Sequence, residues 1–582
     1  MIRCLILWFT GLLWVGSTMA QKGPFSGNQS TAYPDLIAAY QALDNTHSEA
    51  KLLTYGTTDS GQPLHLFVIS RSGQFDPAAL RAANKRILLI NNGIHAGEPC
   101  GVDASLRLAR NLLTQAGEVA AALDDVVVAI IPFYNIGGAL NRGCCSRANQ
   151  NGPEAHGFRG NARLLDLNRD FIKMDSRNAR AFVSLFQAWD PDVFVDTHTT
   201  NGADYPYVLT LIATQANKLH PILQPYVTED LLPHLSGRME TSGYPAVPYV
   251  YSIKGTPDKG IADFLDSPRY SSGYAALFHT ISFITEAHMF KPFEDRVNAT
   301  YHFLAAILQK VQQDSDKIGA LRQEVKTKVR GQALFPVLWQ LDTTHSVPLP
   351  FRGYTPKYKP SAITGAQRLY YDREAPFERD IPYYNRFEAD TVLRKPRYYL
   401  IPQAWGEVID RLQWNGVRLQ RLSEDQALEV HAYYIEGHET GRQAYEGHYP
   451  HKAIAVRSES QTIRYQKGDY VVPVDQERNR FIVESLEPMT TDSYFAWNFF
   501  DEILQQKEWF SSYVFEEEAV RILEERPKLK QRLEARKAAD SGFATNPFAQ
   551  LLFIYRNSEF YEPSHNRYPV TRIYRQVDLP LE

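Results

Sequence analysis

Two histidines and two glutamates stand where short apolar runs of the chain come to an end. Asn91-Asn92-Gly93-Ile94-His95-Ala96-Gly97-Glu98 follows the run Arg86 to Ile90. Thr197-His198-Thr199-Thr200 follows Asp192 to Asp196, and Glu286-Ala287-His288 follows Ile281 to Thr285. As neighbouring strands of one sheet, these runs would deliver the four side chains to one edge. Sheets of this type hold ligands beyond the carboxyl ends of their strands. Two histidines and one carboxylate suffice for a catalytic zinc ion, with one position left for water. His95 and Glu98 are three apart across a tight turn, with Gly97 to bend the backbone between them. His198 would close the triad from a neighbouring strand. A further carboxylate beside such an ion suits a general base. The H-x-x-E spacing alone is weak; the strand-end placement of His198 and Glu286 gives it weight.

The elements that must position these residues are legible from periodicity. Arg86 to Ile90, Val126 to Ile131, Asp192 to Asp196 and Ile281 to Thr285 read as buried strands. After Pro99, which suits a helix start, Val102, Leu106, Ala109 and Leu113 recur at helical spacing. Asp175 or Ser176 caps another helix, with Phe182, Phe186 and Trp189 on one face. Short apolar strands between helices predict an α/β fold, a mainly parallel or mixed sheet covered on both faces. From about residue 331 the chain turns rich in Tyr, Pro and Arg, with shorter strand-like runs such as Tyr398 to Ile401. This region reads as a second, α+β domain.

The 582 residues exceed one ordinary domain. A net charge of -4 gives no basic field that would imply nucleic acid or anionic membrane as partner. Met1-Ile2-Arg3, the apolar stretch Leu5 to Val15, and small residues up to Ala20 form a secretory signal pattern, with cleavage after Ala20. The expected location is therefore periplasmic or extracellular, without stable membrane insertion after cleavage. Beyond the signal stand Cys100, Cys144 and Cys145. They allow one bridge from Cys100 to Cys144 or Cys145, or buried free thiols.

The segment Gly157 to Phe171, with Arg159 and then Asp166-Leu167-Asn168-Arg169, resembles the zinc metallocarboxypeptidases related to carboxypeptidases A and B, especially their regulatory branch. His95 and Glu98, the lone His198 and the later Glu286 follow in that family's order, and Tyr55-Gly56 to Gln62-Pro63-Leu64 is similar to its opening. The resemblance covers roughly residues 33–315. It implies a three-layer α/β/α sandwich and one zinc ion held by His95, Glu98 and His198. Glu286 is then the general base on a zinc-activated water, and Arg159 stabilises the oxyanion. Asn168 and Arg169 bind the terminal carboxylate of a peptide or protein substrate. The family also places a mobile tyrosine over the substrate; Tyr274 is taken for it, with Tyr270 the competing candidate. Arg269 either selects an acidic substrate end or is exposed, and His288 either tunes Glu286 or packs.

The expected organisation is a signal at 1–20, a catalytic domain at 21–325 and an accessory domain at 331–582. The expected activity is removal of C-terminal residues from peptides. Two other activities compete: a cell-wall peptide amidase on the same scaffold, and a non-catalytic peptide-binding protein. His431, His438, His448 and His451 read as polar hairpin strands rather than a second metal site. The aromatic run Asp492 to Phe500 reads as a helix packed into a core. No H-E-x-x-H, G-x-S-x-G or Walker P-loop occurs.

Overall fold

The computed structural model describes residues 27–119, 123–200 and 202–582. The signal pattern at 1–20 lies outside them. No described helix is long and apolar enough to cross a membrane.

The central sheet contains β1 (Ala50–Thr57), β2 (Pro63–Ile69), β3 (Arg86–Asn91), β4 (Val126–Ile131), β5 (Val193–Thr200), β6 (Leu209–Ala213), β7 (Ala246–Pro248) and β8 (Ile281–His288). Their spatial order is β1-β2-β4-β3-β5-β8-β6-β7. The four strands read from the sequence, β3, β4, β5 and β8, are the parallel centre. They read as unbroken apolar runs because both of their faces are covered. β2 and β6 join this centre antiparallel, and β1 adds to β2 in the same sense.

Helices Cys100–Leu113 and Phe293–Gln313 share the apolar core on one side of the sheet. Helix Arg177–Trp189 lies on the other side, burying Phe182, Phe186 and Trp189. Of the two candidate caps for that helix, Ser176 is the one used: its hydroxyl accepts from the Ala179 N–H. Such a cap contributes about 1 kcal/mol. The architecture is the expected α/β/α sandwich.

The chain changes character where helix Ser315–Gly331 ends. Beyond it come a long ribbon, Val347–Pro360 against Gln367–Tyr384, and a six-stranded sheet with helices, which is α+β as expected. This region does more than sit alongside the sandwich. Tyr399, Ile401, Phe481, Ile482 and Trp497 belong to the same apolar core as Phe182, Phe186 and Trp189.

Two expectations need correction. Residues 494–500 form consecutive turns rather than a helix, although Tyr494, Phe495, Trp497 and Phe500 are buried as anticipated. Cys144 and Cys145 are disulfide-bonded to each other, and Cys100 is a buried free thiol beside Thr199. Cys100 opens the helix Cys100–Leu113. The histidines do occupy a hairpin: Gln426–Thr440 pairs with His451–Tyr465, and the rings of His438 and His451 lie 4.4 Å apart.

Candidate metal centre and cleft

The strand ends converge as their order in the sheet requires. β3 and β5 are neighbours, so the loop after β3 carries His95 and Glu98 to His198 near the end of β5. One ligand atom from each lies within 4.8 Å of the others, and all three residues are buried. The two Nδ1 atoms are 3.2 Å apart. Glu98 Oε1 lies 3.3 Å from His95 Nδ1, and Glu98 Oε2 lies 3.3 Å from His198 Nδ1.

The outer nitrogens are occupied as well. His95 Nε2 lies 3.0 Å from Asp166 Oδ1, and His198 Nε2 lies 3.0 Å from Asp196 Oδ2. Asp196 is fixed in turn by the Asn91 side-chain amide at 3.0 Å. A carboxylate on Nε2 keeps the proton there and turns the Nδ1 lone pair inward, the usual support for a metal-ligating histidine. Two facing lone pairs and a carboxylate are reconciled by a cation between them. This donor set fits zinc, which takes histidine nitrogen and carboxylate oxygen and keeps a position open in catalytic sites.

Charge at the centre follows from burial and partners. Burial alone would raise the Glu98 carboxyl, but Arg147 and His95 hold it well below the usual range. Burial would lower the His198 imidazole, yet Asp196 and then Glu98 push it well up. Protons therefore compete with a metal at His198, and zinc affinity falls with falling pH.

Glu286 lies directly opposite His198 in the parallel β5–β8 register. It faces the same cleft, a cavity of about 610 Å³ that also receives Arg159, Asn168, Arg169 and Tyr270. Burial raises the Glu286 carboxyl to about 7, against the pull of His198. Arg159 reaches Asp166 at 2.9 Å and comes within 3.6 Å of Glu98, with 44 % of its side chain exposed. The Asn168 amide oxygen accepts from the Ser271 N–H at 3.0 Å, so the NH₂ is the half of the amide left to donate. The Arg169 guanidinium lies 4.6 Å above the Tyr270 ring.

Residues 36–208 match the zinc carboxypeptidase family model. That stretch carries the centre's histidines and Glu98, together with the arginines of the cleft. Residues 36–208 are thus a zinc carboxypeptidase-family domain. The chain is 21% identical over 429 residues to Carboxypeptidase 2 of Trichophyton tonsurans, a match covering 71% of this chain and 74% of that protein. The Carboxypeptidase 2 of Trichophyton rubrum is 21% identical over 431 residues, with the same coverage of both chains. A metallo-carboxypeptidase from Burkholderia cenocepacia is 19% identical with a TM-score of 0.36, over 48% of this chain and 69% of that one. Carboxypeptidase A from Helicoverpa armigera is 13% identical with a TM-score of 0.35, over 51% and 74% respectively.

The cleft gathers every sequence-derived site residue except Tyr274. Tyr274 is fully buried, its hydroxyl donating to Asn415 Oδ1 at 2.6 Å among the rings of Phe171, Phe186 and Phe278. It sits on the short helix Ser271–Ala276, one turn too far into the core; of the two candidates, Tyr270 is the one that faces the cleft, which Tyr249 also lines. Arg269 neither lines the cleft nor stands free: Asp492, itself buried, holds its guanidinium at 2.7 Å. His288 packs, with its ring 4.4 Å from that of Tyr205.

Gly97 is required for a different reason from the expected bend. A Cβ there would stand 2.7 Å from Arg147 Cδ and 3.1 Å from the Gly157 carbonyl. Gly138 plays a matching part, since its Cβ would meet the Phe158 carbonyl at 2.3 Å. That close approach lets the Asn135 amide hold the Arg159 carbonyl at 2.8 Å. Sequence reading assigned no role to Asp166, Asp196 or Arg147, whose guanidinium donates to Glu98 Oε1 at 2.7 Å. Asp166 opens the quoted D-L-N-R stretch and Asp196 ends a strand two residues before His198. A carboxylate so near a ligand histidine was the available signal.

Proposed function

We propose that this zinc carboxypeptidase-family enzyme removes residues from the free C-termini of peptides, with one zinc ion held by His95, Glu98 and His198. The observation that carries the reading is the meeting of that donor set, Glu286 and Arg169 in one cleft. Zinc bound there supplies a Lewis acid and lowers the pKa of water. The remaining work falls to the chain. Glu286 takes a proton from the attacking water and passes it to the leaving amine. Arg159 donates to the carbonyl oxygen as it gains charge, an effect worth about 3 kcal/mol or more in such sites. Arg169 grips the terminal carboxylate with its planar fork, and the Asn168 amide adds a donor. Tyr270 supports Arg169 from below.

We assign residues 21–325 to the catalytic unit and residues 331–582 to an accessory unit that shapes access to the cleft. The shared core supports a stronger dependence than the sequence suggested. The secretory pattern at 1–20 supports action in a periplasm or outside the cell.

Chelation tests the metal assignment. Hydrolysis of a free-acid peptide by the full chain should be lost after chelator treatment and dialysis. One equivalent of zinc per chain should restore it, and His198→Ala should neither bind that equivalent nor recover. Full turnover in metal-free protein would remove zinc from the account.

A further inference from the structure

A turn of the C-terminal hairpin reaches the cleft from far along the sequence. Between strands Gln426–Thr440 and His451–Tyr465, Tyr445 and His448 exchange both backbone hydrogen bonds, so Glu446 and Gly447 form a two-residue turn. Both have positive φ, 51° at Glu446 and 82° at Gly447. Asn-Gly or Gly-Gly suits such a turn. Glutamate in the left-handed region is disfavoured, and backbone strain of this kind concentrates at functional sites.

The side chains show what the unsuited residue does. Glu446 Oε2 accepts the Asp166 backbone N–H at 2.7 Å. Asp166 is the residue that holds His95 Nε2 and Arg159. The neighbouring Tyr445 hydroxyl accepts from Arg169 Nε at 3.0 Å. Arg169 Nη1 donates to the Asn168 carbonyl at 2.8 Å, and the Tyr270 ring lies below the guanidinium. Tyr445 thus engages Nε and the Asn168 carbonyl engages Nη1, while Nη2 makes no hydrogen bond among the described residues and is left for a ligand. An asparagine at 446 would serve the turn better but would be too short to reach Asp166.

The turn is itself held on three sides. His448 Nε2 lies 2.7 Å from Asp175 Oδ2. Asn498 exchanges hydrogen bonds with the backbone of Tyr449 at 3.0 and 2.9 Å. The Tyr445 ring stacks on Trp497 at 6.1 Å.

We propose that this turn is a positioning device for both limbs of the site: Tyr445 orients Arg169 towards the substrate carboxylate, and Glu446 fixes the Asp166 backbone and through it His95. The proposal rests on the assignments of Arg169 and His95 made above. It also gives the C-terminal region a role in the chemistry beyond shaping access.

The test uses four variants of the full chain and three readouts: steady-state kinetics on a free-acid peptide, zinc affinity and Tm. Tyr445→Phe keeps the ring on Trp497 and loses only the hydroxyl. It should raise KM by about 10- to 150-fold, the range for one hydrogen bond to a charged group, with kcat and zinc affinity within about twofold. Glu446→Asn should weaken zinc binding by about 10-fold, as for loss of support behind a ligand, while Tm stays or rises. Glu446→Gln keeps an acceptor oxygen and should restore zinc affinity. A turn that merely packs would give the opposite pattern: lower Tm, with KM and zinc affinity unmoved. That outcome overturns the proposal. Arg169→Met, run alongside, separates the two levels. If it leaves KM unaltered, the Arg169 assignment falls and the role of Tyr445 with it. If it raises KM while Tyr445→Phe is silent, only the turn's role falls.

Discussion

Glu286→Gln is expected to keep zinc at one per chain and to lose about 10²- to 10⁴-fold in kcat, the usual contribution of a general base. Glutamine preserves the side chain's volume where Glu286 is buried beside His198. Zinc content by metal analysis and turnover of a free-acid peptide measure the two halves of this expectation. The pH profile adds a third. Only the carboxylate form can accept a proton, so kcat/KM should fall as pH drops through the Glu286 pKa. Burial raises that carboxyl to about 7 in the protein alone. A divalent cation nearby pulls it down, so the acid limb of the loaded enzyme should lie below 7. Glu286→Gln should abolish that limb. A near-normal rate, or loss of zinc, would take Glu286 out of the role of base.

Arg169→Met is the second large effect. Methionine keeps some of the side chain's length over the Tyr270 ring but removes the guanidinium. Leaving a bound carboxylate without its partner costs about 2–5 kcal/mol, or roughly 30- to 5,000-fold in kcat/KM. The loss should appear mainly in KM, because the carboxylate is held in the ground state as well as during reaction. The variant should bind zinc normally, since Arg169 stands 4.0 Å from Asp166 and is no ligand. Steady-state kinetics against a concentration series of one free-acid peptide will show it. An unchanged KM would move carboxylate recognition elsewhere in the cleft.

The parallel strands were legible because burial on both faces leaves an unbroken apolar run, and the helix Arg177–Trp189 because its three large aromatics fall on one stripe. The ligands were legible because strand ends locate ligands in such sheets: His95 and Glu98 stand just past β3, and His198 lies in the last residues of β5. What the sequence hid was long-range. β6 and β7 join the sheet through pairings that local periodicity does not encode. Tyr274 and Tyr270 are one helical turn apart, and the packing of Phe171, Phe186 and Phe278, with the bond to Asn415, holds the former inward. Cys144 and Cys145 pair with each other while Cys100 is buried at the start of a helix, and spacing in the chain does not encode that choice. Glu446 and Tyr445 are some 280 residues from the aspartate and arginine they hold. Nothing near them in the chain marks the contact, except a glutamate in a turn suited to asparagine.

The most direct measurement is mass spectrometry of a peptide mixture incubated with zinc-loaded, signal-free protein, each peptide present both as the free acid and as its C-terminal amide. The account predicts stepwise loss of terminal residues from the free acids, with the amides left intact. Cleavage of both forms at similar rates would contradict carboxylate recognition by Arg169. Cleavage of neither form, with zinc bound, would favour the cell-wall amidase or the peptide-binding reading instead.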